Sequence, residues 1–223
     1  MTTQRQIKRF VAPLLQRNPD VMYRTYWLYM KPIRHVVRLV TIQGSSSADY
    51  ALVDASVDFS FNLSPAAWGW PVGRGEGLLV WDDPAIHPVV RERIEDAFDR
   101  MRPLTTLEAF EEFASQPRAF YTSGLDAYRD CQLRVDIALG RLDKALVECR
   151  ELHRLYTEHA PDNDYSRIFQ RLTSAALPLL ETKDIGGLVD LLKQWQNHYI
   201  TGRKLEAIFE KTPFPLETMT GRR

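Results

Sequence analysis

Chemistry in this 223-residue chain would have to start from a few polar, thiol and aromatic side chains. Gly73-Arg74-Gly75-Glu76-Gly77 has the glycine content of a phosphate-binding loop. Such a loop needs a strand before it and a helix amino terminus after it, whose free N–H groups hold the anion. Here the apolar run 78–81 follows and no Lys-Ser/Thr pair closes the motif, so the segment reads as a flexible connection. Asp82, Asp83 and His87 offer two carboxylates and an imidazole, a donor set for a divalent cation. The Asp-Asp-Pro order is already that of a helix start, so no metal is assigned. Ser45, Ser46 and Ser47 lack the strand–Ser–helix elbow of a hydrolase and read as turn chemistry. His153 and His159 are six residues apart and do not share a helical face. Cys131 and Cys149 read as two small buried thiols of a reducing compartment. No cofactor is expected.

Trp68 and Trp70, with Arg74 and Trp81 nearby, make the one stretch with the residue types of a binding surface. Aromatic rings and guanidinium groups on a loop are common in recognition hot spots. The alternative is that the tryptophans fold back over the sheet.

The elements that would position these residues begin with a helix. Thr3 and Gln6 have capping-box spacing, and Ile7, Phe10, Val11, Leu14 and Leu15 trace one apolar face, with a kink or an early end expected near Pro13. Three strands are expected next: 22–30, rich in Tyr and Trp; 33–43, rich in β-branched residues; and a third ending at Phe61. In the third, Ala51, Val53, Ala55, Val57, Phe59 and Phe61 alternate with Leu52, Asp54, Ser56, Asp58 and Ser60. That is one buried face and one wet face, with Leu52 the apolar exception on the wet side. Residues 78–81 suggest a fourth strand. A helix with Val89, Val90, Ile94, Ala97, Phe98 and Met101 inward follows, then a short one after Thr106. From Ser123 onward the pattern is helical: 125–139, 142–159, 165–181, 185–199 and a short segment at 204–210. The fold class predicted is α+β: an N-terminal helix on an antiparallel β-meander over residues 1–120, then an all-helical portion over 121–223, as one continuous molecule.

Composition narrows the function classes. Lys plus Arg and Asp plus Glu both total 29, so the basic excess of a nucleic-acid binder is missing. No run approaches the length of a membrane span, and no signal-peptide core follows Met1, which predicts a cytoplasmic protein without membrane or nucleic-acid partners.

Residues 22–61 resemble a bacterial family known as domain of unknown function 4304. The aromatic strand from Tyr23 to Tyr29, the segment Val36-Val37-Arg38-Leu39-Val40-Thr41-Ile42-Gln43, the Ser-rich loop and the alternating strand carry the likeness. The resemblance implies a fold and no biochemical activity. Residues 138–146 resemble the turn of a tetratricopeptide hairpin, without a second copy, and are read as a helical hairpin. The leading expectation is a non-enzymatic bacterial protein-interaction module that binds another protein, and a toxin-neutralising immunity role is compatible with it. The alternative is a small-molecule-binding protein or hydrolase with its pocket between the sheet and the helical lobe.

Overall fold

The computed structural model describes residues 2–44, 49–63, 69–72, 77–116, 128–158 and 164–219. It is an α+β fold: an N-terminal helix, an antiparallel sheet, then helices. The chain divides into two compact units. One gathers Met1–Phe59, Gly69–Phe110 and Ile208–Glu210; the other gathers Ser60–Trp68, Glu111–Ala207 and Lys211–Arg223.

In the first unit, helix α1 (Gln4–Arg17) starts on the predicted capping box: Gln6 N donates to Thr3 Oγ1 at 3.2 Å and Thr3 N to Gln6 Oε1 at 2.8 Å. It runs through Pro13 to an Asn18 cap, so the expected early end does not occur. Ile7, Phe10, Val11 and Leu14 are its buried stripe.

The expected first strand is two. β1 (Val21–Arg24) and β2 (Trp27–Met30) pair across a two-residue turn, Thr25–Tyr26, with Arg24 opposite Trp27. Thr25 holds the turn at φ 55°. Tight hairpins need positive φ and normally draw Gly, Asn or Asp there, so a β-branched residue hid this one from the sequence. β3 (Val36–Gly44) and β4 (Tyr50–Phe59) continue the antiparallel meander in long register, Val36 opposite Phe59 through Gly44 opposite Ala51. Two short strands share the free edge of β4: β5 (Trp70–Pro71) opposite Ser56 and Val57, and β6 (Gly77–Val80) opposite Tyr50 to Val53.

Register assigns the two faces. Leu28, Met30, Val36, Val40, Ile42, Ala51, Val53, Ala55, Val57 and Phe59 share the first face with Leu79, and all are buried. Helix α2 (Ile86–Met101) packs against β4 and β6, burying Val90, Ile94, Ala97, Phe98 and Met101. Val89 is exposed instead of inward. Asp83 Oδ1 accepts from Ala85 N at 3.0 Å, just ahead of this helix. Arg38 is the one charge on the buried face among the described residues. Its guanidinium donates to the carbonyls of Arg102 and Pro32, each at 3.2 Å. Arg102 is the C-cap of α2, so the charge meets the negative helix end.

Helix α3 (Leu107–Ser115) begins on Thr106, whose Oγ1 accepts from Ala109 N at 3.2 Å. In the second unit, α4 (Arg129–Ala138), α5 (Leu142–Glu158), α6 (Asp164–Glu181) and α7 (Ile185–Gly202) pack consecutively as neighbours. Gly140, at φ 74°, makes the turn between α4 and α5, a left-handed position that suits Gly. A 3-10 turn (Glu206–Ile208) replaces the last short helix expected, and α8 (Pro215–Met219) follows an extended stretch.

Candidate functional site

Of the aromatic–arginine stretch, Trp70 and Trp81 lie within the described residues. Trp68 and Arg74 lie outside the described residues. Trp70 sits on β5 with its ring in the core, edge-on to Phe110 at 5.0 Å and beside Phe59 at 6.2 Å. Trp81 follows β6, where its Nε1 donates to Thr2 Oγ1 at 3.0 Å and its ring meets Phe10 and His87 edge-on. Trp70 pairs near one end of β4 and Trp81 beyond the other. At roughly 3.3 Å per residue their backbones are on the order of 25 Å apart. The two therefore lie in different parts of the first unit, Trp70 buried and Trp81 part-buried.

His87 Nε2 lies 3.1 Å from the Val80 carbonyl, while Asp82 and Asp83 are exposed. Among the described residues no group of three or more His, Cys, Asp or Glu is arranged to hold a metal.

Two other places concentrate polar chemistry. The first is α4, where every residue from Asp130 to Ala138 is buried. Arg134, with no exposed surface, donates through Nη2 to Asp130 Oδ2 at 2.8 Å and through Nη1 to Asn62 Oδ1 at 3.0 Å and the Phe61 carbonyl at 3.4 Å. Its Nη2 lies 3.3 Å from Cys131 Sγ, and that thiol itself points to Asp130 Oδ2 at 3.5 Å. Asp136, equally enclosed, accepts from Gln132 Nε2 at 3.0 Å. Lys144 Nζ stands 3.0 Å from Asp136 Oδ2, which is met by charge and not by an aligned hydrogen bond. Arg141 lies 3.3 Å from Oδ1 and also clamps Glu111. Burial pushes the Glu111 carboxyl up, but the hydrogen bond and charge of Arg141 outweigh it and hold its pKa below the usual value. Each charge here has a partner, which is the condition for burying it. Cys149 is enclosed too: burial first, then Glu181 and Glu148, push its thiol up to about 12, so it remains protonated and unreactive.

The second place is the other face of the sheet, the wet face of β4. Arg24, Trp27, Thr41 and Asp54 are successive register partners across four strands. In the next row Gln43, Leu52 and Leu78 are partners across three. Going the other way the face closes, with Tyr29, Leu39, Val37 and Asp58 buried. Its open end holds Leu52, 47% exposed, directly opposite Leu78, 43% exposed. The β1–β2 turn adds Tyr26, 38% exposed and edge-on to Trp27 at 6.4 Å. Trp27 Nε1 is closed off from solvent and has no acceptor among the described residues. Asp54 is exposed, yet the atoms about its carboxyl desolvate it enough to raise its pKa. None of the described cations pairs with it. Leu52 was legible in the sequence as the apolar exception on a polar strand face. Leu78 was not, because its pairing with Leu52 joins residues far apart in the chain.

No family model, curated protein or solved structure matches the chain. Among the described residues no helix is long and apolar enough to cross a membrane.

Proposed function

We propose that this chain is a non-enzymatic protein-interaction module of the cytoplasm and that it docks its partner on the open end of the sheet's second face. The exposed Leu52–Leu78 pair carries the reading. Two large aliphatic side chains in register on a wet face lose free energy to water that a partner's apolar surface would recover. Tyr26 and Trp27, aromatic residues of the kind enriched in interface hot spots, flank the same end. The two buried thiols support a reducing compartment. The likeness of residues 22–61 to the domain of unknown function 4304 is a likeness of pattern, and we retain it as support for the scaffold alone.

The test is quantitative capture on the immobilised protein from its native host, with each captured protein then purified and titrated back. Wild type should retain a stoichiometric partner, and Leu52→Ser with Leu78→Ser should lose it while staying folded. The proposal fails if no stoichiometric partner is retained, or if the double variant retains it equally.

A further inference from the structure

The same surface has a charge pattern that specifies its occupant. Asp54 lies on β4 with Leu52 two residues before it on the same face, and Thr41 opposite it separates it from Trp27. Strand spacing of about 4.8 Å places the Trp27 and Asp54 backbones roughly 10 Å apart. That gap admits the stem of one long basic side chain lying over Thr41. Asp54 has no hydrogen bond and no ion pair with any described residue, although the buried charges of α4 all have both. A desolvated carboxylate without a cation is unfavourable in the free protein, and an incoming cation would relieve it. The exposed ring of Tyr26, which meets Trp27 edge-on, offers a second attraction for the same cation. Arg24 ends the row at the far strand, its backbone about 14 Å from that of Asp54 by the same spacing, and makes no ion pair with it.

Resting on the docking reading above, we infer that the occupant is a segment of a partner protein bearing a Lys or Arg next to a large apolar residue. The cation sits between Trp27 and Asp54, and the apolar side chain sits on Leu52 and Leu78. Acidic segments are disfavoured by the same carboxylate. The segment is read by one charge and one apolar contact on adjacent rows, so the order of the two residues matters as well as their presence.

The experiment is selection of a display library of random linear peptides on the full-length protein at physiological salt, run in parallel on Asp54→Asn and on Leu52→Ser with Leu78→Ser. Wild type should enrich peptides with Lys or Arg adjacent to Leu, Ile, Phe or Trp. Those peptides, synthesised and titrated, should bind Asp54→Asn about tenfold more weakly, with the gap shrinking as salt rises. Enriched peptides that need Leu52 and Leu78 but show no basic preference, or bind Asp54→Asn equally, would overturn the inference and leave the docking surface standing. Peptides that ignore all three residues, or no enrichment at all, would overturn both. The Asp54 side chain makes no hydrogen bond or ion pair with any described residue, so the Asn variant is expected to fold as wild type does.

Discussion

In α4 the second unit takes Arg134 and Asp136 fully out of water and surrounds each with partners from Asp130, Asn62, Gln132, Arg141 and Lys144. On β4 the first unit leaves Asp54 exposed, with no such partner among the described residues. Burial makes a charge expensive, so an enclosed one persists only where the chain itself supplies the neutralising group. A half-desolvated one left unpaired on an apolar patch has no such architectural role. The difference separates charges that specify the fold from a charge we propose faces a partner, and it can be broken experimentally from either side.

The largest effect should come from Arg134→Met. Removing the guanidinium takes a donor from Asp130, Asn62 Oδ1 and the Phe61 carbonyl and breaks the buried pair with Asp130, which should cost about 3–5 kcal/mol in urea unfolding. Adding Asp130→Leu should recover part of that loss, because replacing both partners with apolar groups is milder than orphaning one. A loss under about 1 kcal/mol for the single variant would show that the enclosed charges are not what specifies α4.

A smaller loss, about 1–3 kcal/mol, is expected for Glu111→Gln, which leaves Arg141 with a weaker acceptor. This contribution depends on pH. Glu111 has a folded pKa below its unfolded value, so its stabilisation is complete above the unfolded value and fades as pH falls toward the folded one. Unfolding free energies of wild type and variant should therefore converge in acid. A gap that stays constant with pH would remove Arg141 as the cause.

How much of this was readable in the sequence follows from the range of the interactions. The alternation of β4 as far as Val57 and the stripe of α1 from Ile7 to Leu14 are local patterns, and both fall where the sequence places them, whereas Asp58 and Ser60, expected on the wet face, are buried and β4 ends at Phe59. The turn at Thr25 was hidden because the chain uses a residue that local turn chemistry disfavours. The burial of α4 was hidden for a different reason. Asp130, Gln132, Arg134 and Asp136 carry no local apolar signal that would place them inside, and what encloses them is long-range: Asn62 and Phe61 are 72 and 73 residues before Arg134. On the surface, Leu52 was visible as an exception, whereas the aromatic stretch drew attention to Trp70, whose ring fills the core against Phe59 and Phe110.

On the open face, Leu52→Ser with Leu78→Ser should lower stability by no more than about 1 kcal/mol, the scale of one cross-strand pair. Partner binding should fall far more than stability does. Thermal melts and partner titrations of the same preparation test this, and a loss of fold matching the loss of binding would return the pair to the scaffold.

The smallest effect has the opposite sign and sharpens the contrast most. The folded pKa of Asp54 is raised by desolvation, so the native state holds its proton more tightly than the unfolded chain does. Above that raised value the ionised carboxylate opposes folding. As pH falls through the folded value and then the unfolded one, near 4 for Asp, the penalty disappears. Asp54→Asn should therefore be slightly more stable than wild type at neutral pH, by less than about 0.5 kcal/mol because the group is exposed and screened. The two proteins should converge in acid, where Glu111→Gln also converges with wild type but from the destabilised side. If Asp54→Asn is instead less stable at neutral pH, the carboxylate has a stabilising role in the free protein. The distinction between the paired charges of α4 and an unpaired charge awaiting a cation would then fail at its most exposed member.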